Sequence, residues 1–113
     1  GAGITPFIAI LRDLKLKNEL VGNRLIFANK TKEDIILQKE FEGLLGKDFV
    51  NILSKEKADG FKHGLITKEF LEANVSGHTG MFYVCGPPPM MDTVPDQLAG
   101  LGIPDSSIIK EGL

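Results

Sequence analysis

The sequence predicts an α/β domain: a doubly wound parallel sheet with helices on both faces. Three observations point there. Short apolar runs bounded by turn residues recur at residues 24–28 (RLIFA), 48–53 (DFVNIL) and 81–85 (MFYVC). These runs are continuous rather than alternating, which is the pattern of strands covered on both sides. Between them lie segments whose apolar residues repeat at helical spacing, and strands alternating with helices build a parallel sheet. A chain of 113 residues with 42% hydrophobic content suits one soluble globular domain, and no internal boundary divides residues 1–113.

The first helix is expected from Phe7, Ile10, Leu11 and Leu14, with Pro6 in its first turn and Gly22 beyond its end. Gly22 and Asn23 precede the strand at 24–28, and Asn29 follows it. A second helix carries Leu37, Phe41, Leu44 and Leu45 and stops at Gly46, suited to a helix end. After the strand at 48–53, residues 54–64 read as a polar connection. Thr67 is placed to cap a helix over residues 68–73. The strand at 81–85 runs into Gly86-Pro87-Pro88-Pro89. A final helix uses Met90, Met91, Val94, Leu98 and Leu101 and closes at Gly102, with Pro95 kinking it or delaying its start. Residues 107–110 form a last short strand.

One element is implied from outside. Gly1-Ala2-Gly3 is a turn of the kind that follows a strand, and in a doubly wound sheet that strand is central. The expectation is a first strand upstream of residue 1, a longer polypeptide, and a one-strand slot between the runs at 24–28 and 81–85.

Composition narrows the function. The formal net charge of −2 gives no global attraction to nucleic acid or anionic membranes. Cys85 is the only cysteine, which excludes an internal disulfide and an iron–sulfur cluster held by this chain alone. No run reaches the roughly 18–20 apolar residues of a membrane span. The apolar start is broken by Arg12 and Asp13 and has no basic leader, so it does not read as a secretory signal. A cytoplasmic location is the expectation, and no metal site is anticipated.

Two motifs carry chemistry. Gly1-Ala2-Gly3-Ile4-Thr5-Pro6 is a glycine turn running into a helix. Glycines let backbone amides approach a pyrophosphate, and the helix start offers unpaired N–H groups with partial positive charge. Thr5 caps the helix or meets a phosphate oxygen in this reading. Pro6 stands where G-x-G-x-x-G needs its third glycine, and the Gly-Lys-Ser/Thr ending of a P-loop is absent. The second motif runs from Tyr83 to Met91 (YVCGPPPMM) and delivers a thiol to a strand's carboxyl end, where doubly wound sheets bind ligands. A lone cysteine there is equally a small core residue, and the prolines equally a rigid helix entrance.

Together, G-x-G-I-T-P-F followed about 80 residues later by C-G-P-P-x-M-M resembles the NAD(P)-binding, Rossmann-like domain of the ferredoxin–NADP reductase family. Flavodoxin reductases, dioxygenase reductases, cytochrome b5 reductases and some hydrogenase reductase subunits belong to it. The resemblance implies that Gly1, Gly3, Ile4, Thr5 and Pro6 cradle the pyrophosphate and the nicotinamide end. It implies that Cys85, Gly86, Pro87 and Met90 line the nicotinamide pocket, with Cys85 facing the hydride-carrying carbon. Glu111 matches a terminal acid that approaches the nicotinamide, whereas Leu113 departs from the aromatic residue that shields the flavin. Ser54-Lys55-Glu56 resembles the Ser-Arg of members that prefer a 2′-phosphate, Lys30 after the second strand, beside Asn29, adds positive charge, and the choice leans to NADPH. Phe61 and His63 are the rings available to an adenine.

The cofactors so implied are NADP or NAD on this chain and FAD on an upstream barrel domain of the same polypeptide. The implied acceptor is ferredoxin, flavodoxin or an oxygenase-type protein. The rival is a non-catalytic α/β signalling or nucleotide-sensing domain. A receiver domain would place acidic residues at its first strand ends, where this chain has Asn29 and Lys30.

Overall fold

The computed structural model describes residues 4–75, 81–103 and 108–112. Helix α1 (Thr5–Leu16) leads to strand β1 (Arg24–Asn29), then α2 (Gln38–Leu45), β2 (Phe49–Leu53) and a two-residue strand β3 (Lys62–His63). Helix α3 (Lys68–Val75), β4 (Phe82–Gly86), short helices α4 (Pro88–Met91) and α5 (Val94–Gly100), and β5 (Ile108–Gly112) follow. Single 3-10 turns at Lys32–Asp34 and Gly46–Asp48 flank α2.

All strand pairs are parallel, in the order β3-β2-β1-β4-β5. The two-residue alternation of β1 divides the core. Leu25 and Phe27 pack under α1 and α2 with Ile4, Phe7, Leu11, Phe41 and Phe49, while Ile26 and Ala28 pack on the other face with Leu71, Val94 and Leu98. Phe41 stacks on Phe49 at 5.3 Å and meets Phe27 edge-on at 6.3 Å. Such pairs contribute about 0.5–1.5 kcal/mol each beyond their burial. The doubly wound parallel fold is therefore present.

The open slot is not. Arg24 through Phe27 pair directly with Phe82 through Cys85. A strand buried on both faces has no water for an unpaired edge, so β1 and β4 satisfy each other's backbone groups.

Four local expectations are also corrected. Ile8, 3% exposed, takes the core position assigned to Ile10, which is 36% exposed. The buried set Ile4, Phe7, Ile8 and Leu11 is one helical face. Leu37 lies outside α2 as its N-cap, with φ +57°, a conformation a branched side chain seldom takes. The connection at 54–64 contains β3, whose pairing with Ile52 and Leu53 creates it without any apolar signature of its own. The strand expected from Asp48 starts at Phe49, because Asp48 closes a 3-10 turn. By contrast, Thr67 Oγ1 accepts the Phe70 N–H at 3.1 Å, as a capping threonine should. Pro95 sits in the first turn of α5 and separates it from α4, so the expected long helix is two short ones.

Candidate functional site

From β1 the chain moves to one side through β2 and β3, then crosses to β4 and β5 on the other. The reversal lies between β1 and β4, and ligands of such sheets bind outside the strand carboxyl ends at that point. Asn29 ends β1 there, and Gly86 ends β4.

Ile4 occupies the N-cap of α1, fully buried, with no side-chain capping bond and no acidic residue in the first turn. Thr5 therefore begins the helix instead of capping it, and both Thr5 and Pro6 are exposed. The positive end of the helix dipole is left without a negative side chain from the described residues. Gly1 and Gly3 lie outside the described residues.

Asn29 is 2% exposed, and its Nδ2 has no hydrogen-bond partner among the described residues. By strand alternation it points to the α1 face, with Leu25 and Phe27. Its carbonyl accepts the Ser54 N–H at 3.0 Å, and the Lys30 carbonyl accepts the Lys55 N–H at 2.9 Å. The structure thus brings together Asn29, Lys30, Ser54 and Lys55, four residues singled out in the sequence. Both lysine side chains are exposed.

At the other strand end, a Cβ on Gly86 would stand 3.0 Å from the Ala28 Cβ and 3.6 Å from the Met91 Sδ. Glycine is what allows this close exit from β4. Pro87 then caps α4 with extended backbone, φ −55° and ψ 142°. Met90 lies in α4; its side chain is outside the described residues.

The Cys85 side chain is 0% exposed within the cluster of Ile4, Phe7 and Phe27, the packing of a small core residue. Its backbone is in register with Glu111 on β5, so these two residues are neighbours across one strand spacing.

Sequence reasoning missed the lacing of the loops beyond β1 and β2. Thr31 N–H and Oγ1 both bond the Asp34 carboxylate, at 3.1 and 3.0 Å. The Glu56 carboxylate accepts the Lys32 N–H, and the Glu56 carbonyl bonds His63 Nδ1 at 2.8 Å. The Lys32 ammonium lies 5.9 Å from the centre of the Phe61 ring. The Thr31-x-x-Asp34 spacing was a readable sign of a turn, but nothing in the spacing of Glu56 links it to Lys32. Phe61 and His63, the expected adenine rings, line a depression of about 470 Å³ with Lys57 and Asp59. A second groove, about 730 Å³, runs between the outer flanks of α1 and α2 beside Arg12 and Glu40, away from the strand carboxyl ends. There Arg12 grips the Glu40 carboxylate with two bonds of 2.6 Å, and that hydrogen bonding holds its pKa below the ordinary value.

An uncapped helix start, a buried unmatched amide donor and a close glycine exit at one switch point suit an anionic dinucleotide laid across the strand ends. Comparison with known proteins agrees. A family model described as "Oxidoreductase NAD-binding domain" matches residues 1–96. The chain is 36% identical over 108 residues to NADH-cytochrome b5 reductase 2 of Candida glabrata, covering 86% of this chain and 36% of that protein. It is 30% identical over 116 residues to NADH-cytochrome b5 reductase 1 of Dictyostelium discoideum, covering 96% and 41%. Among solved structures, the flavohem-like FAD/NAD binding domain of nitric oxide dioxygenase from Vibrio cholerae superposes with a TM-score of 0.69 and 29% identity, over 100% of this chain and 48% of that one. The chain therefore spans well under half the length of these curated relatives. It belongs to the oxidoreductase NAD-binding domain family.

Proposed function

We propose that this chain is the pyridine-nucleotide-binding domain of a flavin-dependent reductase, serving an FAD held on another domain of the same polypeptide. The observation that carries the reading is Asn29. A buried amide donor without a partner costs about 1–3 kcal/mol, and this one stands at the switch point beside an uncapped helix start.

The residues divide the work of holding the nucleotide. Gly1, Gly3 and the first turn of α1 receive the pyrophosphate, with Ile4 packing beneath and Thr5 and Pro6 on the exposed rim. Asn29 supplies a hydrogen bond to a ligand oxygen. Lys30, Ser54 and Lys55 border the adenosine half. Gly86, Pro87 and Met90 border the nicotinamide half, where the absent Cβ of Gly86 leaves room for Ala28 and Met91. Cys85 supports that side from within the core, and Glu111 lies one strand away. When bound, the nicotinamide supplies a hydride to the flavin, which the cofactors carry out themselves. The domain contributes placement, and a displacement of about 1 Å at the reacting carbon costs on the order of 100-fold in rate.

The relatives are named for cytochrome b5. That favours a small haem protein of this type as the electron acceptor over the ferredoxin or flavodoxin of the sequence-based expectation. The test is optical. The intact protein should purify with a bound flavin whose visible absorbance bleaches on anaerobic addition of NADH or NADPH. A colourless protein that binds neither nucleotide in calorimetric titration would favour the signalling-domain reading.

A further inference from the structure

The groove between the outer flanks of α1 and α2 contains a glycine that folding does not require. Gly43 lies within α2, and it is not among the glycines with positive φ. A Cβ added to it would meet nothing within 4 Å. Glycine is the poorest helix former after proline, and here neither a turn nor a close backbone approach offsets that cost. What the missing side chain does is leave the groove open at this point.

The groove changes character along its length. At one end the ion pair of Arg12 and Glu40 crosses from α1 to α2. Arg12, Lys15 and Lys39 stand there against the single carboxylate of Glu40, a local excess of positive charge in a chain whose formal net charge is −2. Neither Lys15 nor Lys39 forms an ion pair among the described residues. Further along, the groove is lined by Leu16, 84% exposed, and by half-buried Leu44. Leu44 also lines a smaller depression of about 170 Å³ together with Leu20 and Val21, the latter 98% exposed. The one carboxylate of that depression, Asp48, is held by Arg24. Exposed apolar side chains on a soluble surface are ordinarily scattered singly; here they follow one path away from a cationic end.

From this arrangement we infer that the groove binds a single-chain amphiphile with an anionic head, of the fatty-acid class. The carboxylate lies between Lys15 and Lys39, and the acyl chain runs over Gly43 and Leu44 toward Val21. Lysine lays its methylene stem along apolar surface and keeps its ammonium in water, which complements a carboxylate carried on a hydrocarbon chain. The groove volume of about 730 Å³ falls within the roughly 300–1,000 Å³ of small-ligand sites. The Arg12–Glu40 bridge favours this occupant over a partner helix. A helix laid along the groove would have to ride over the bridge, whereas an acyl chain runs away from it. The site lies apart from the nucleotide crevice, and the inference does not depend on that reading.

Gly43→Leu tests this, because leucine fills the groove and is a better helix former than glycine, so lost binding cannot be laid to lost folding. Calorimetric titrations of the intact protein use dodecanoate below its micelle concentration. Octanoate shortens the chain, and dodecyltrimethylammonium keeps the chain and reverses the charge. Dodecanoate should bind saturably, with octanoate and dodecyltrimethylammonium each at least ~10-fold weaker. In Gly43→Leu the dodecanoate affinity should fall at least ~10-fold, while the unfolding temperature is unchanged or higher and nucleotide affinity is unaltered. Absence of saturable dodecanoate binding, equal affinity for the two head groups, or full binding by Gly43→Leu overturns the inference. A wild type that is dimeric in gel filtration and becomes monomeric in Gly43→Leu assigns the groove to a second copy of the chain, and overturns it as well.

Discussion

The two ends of β1 carry polar residues of opposite fortune. At the amino end, Arg24 is engaged throughout its guanidinium. Nε and Nη2 bond the Asp48 carboxylate at 3.1 and 2.8 Å, and Nη1 donates to the Asn74 carbonyl. Beside it, Asn23 Nδ2 donates to the carbonyls of Glu19 and Leu20 at 3.1 and 3.0 Å. At the carboxyl end, Asn29 is as deeply buried as its apolar neighbours, yet its amide donor is unmatched. Native structures leave few buried polar groups unpaired. One strand therefore shows an amino end whose polar side chains are paired and a carboxyl end with a buried donor unmatched among the described residues.

The comparison breaks if the two ends respond alike to mutation. The largest effect is expected at the amino end. Arg24→Met removes both bonds to Asp48 and strands a carboxylate that is only 23% exposed. Stability should fall by about 2–3 kcal/mol, read as a lower denaturant midpoint, with nucleotide affinity within ~2-fold of wild type. An equal loss of affinity would mean the amino end also shapes the crevice.

Asn29→Leu should do the reverse. Removing an unsatisfied donor leaves stability unchanged or raises it slightly, while nucleotide affinity falls ~10-fold, about 1.4 kcal/mol. Calorimetric titration and thermal unfolding of the same preparation read both numbers. A marked loss of stability with unchanged affinity would make Asn29 a structural residue.

The smallest effect sharpens the core between the ends. Tyr83 is 3% exposed and stacks edge-on with Phe7 at 5.4 Å, and burial raises its phenol above the ordinary value near 10. Above that value the unfolded chain releases the proton while the folded chain still holds it. Stability from this group is thus complete below pH ~10 and lost as pH rises through the folded value. Tyr83→Phe should flatten the alkaline limb of the stability curve without changing nucleotide affinity. An unaltered alkaline slope would assign it to other groups.

Much of this fold was legible because burial leaves a mark in the sequence. Strands covered on both faces need continuous apolar runs, so β1, β2 and β4 were found within a residue of their ends. The Thr67 cap was legible because its oxygen serves an N–H three residues on. The helix face containing Ile8 rather than Ile10 was not, since the two isoleucines flank the Phe7 and Leu11 stripe on opposite sides and only the sheet decides which turns inward. Strand β3 was illegible because Lys62 and His63 carry no pattern; they are a strand because β2 offers a free edge.

The candidate site divides in the same way. The strand-end glycine Gly86 was readable from local chemistry, since close backbone approach demands glycine wherever it occurs, whereas the glycine turn at residues 1–3 lies outside the described residues. Cys85 was readable as a position but not as an environment, because exposure depends on Ile4 and Phe7, some 80 residues away along the chain. By itself the sequence determined the parallel sheet and the order of its elements, since periodicity and turn residues act over a few positions. Only the tertiary structure decided that β1 and β4 pair directly, that Asn29 is left with an unmatched donor, and that Glu56 is pinned to Lys32. Those outcomes depend on which distant backbone groups meet, and satisfying hydrogen bonds across a sheet is a property of the whole packed chain.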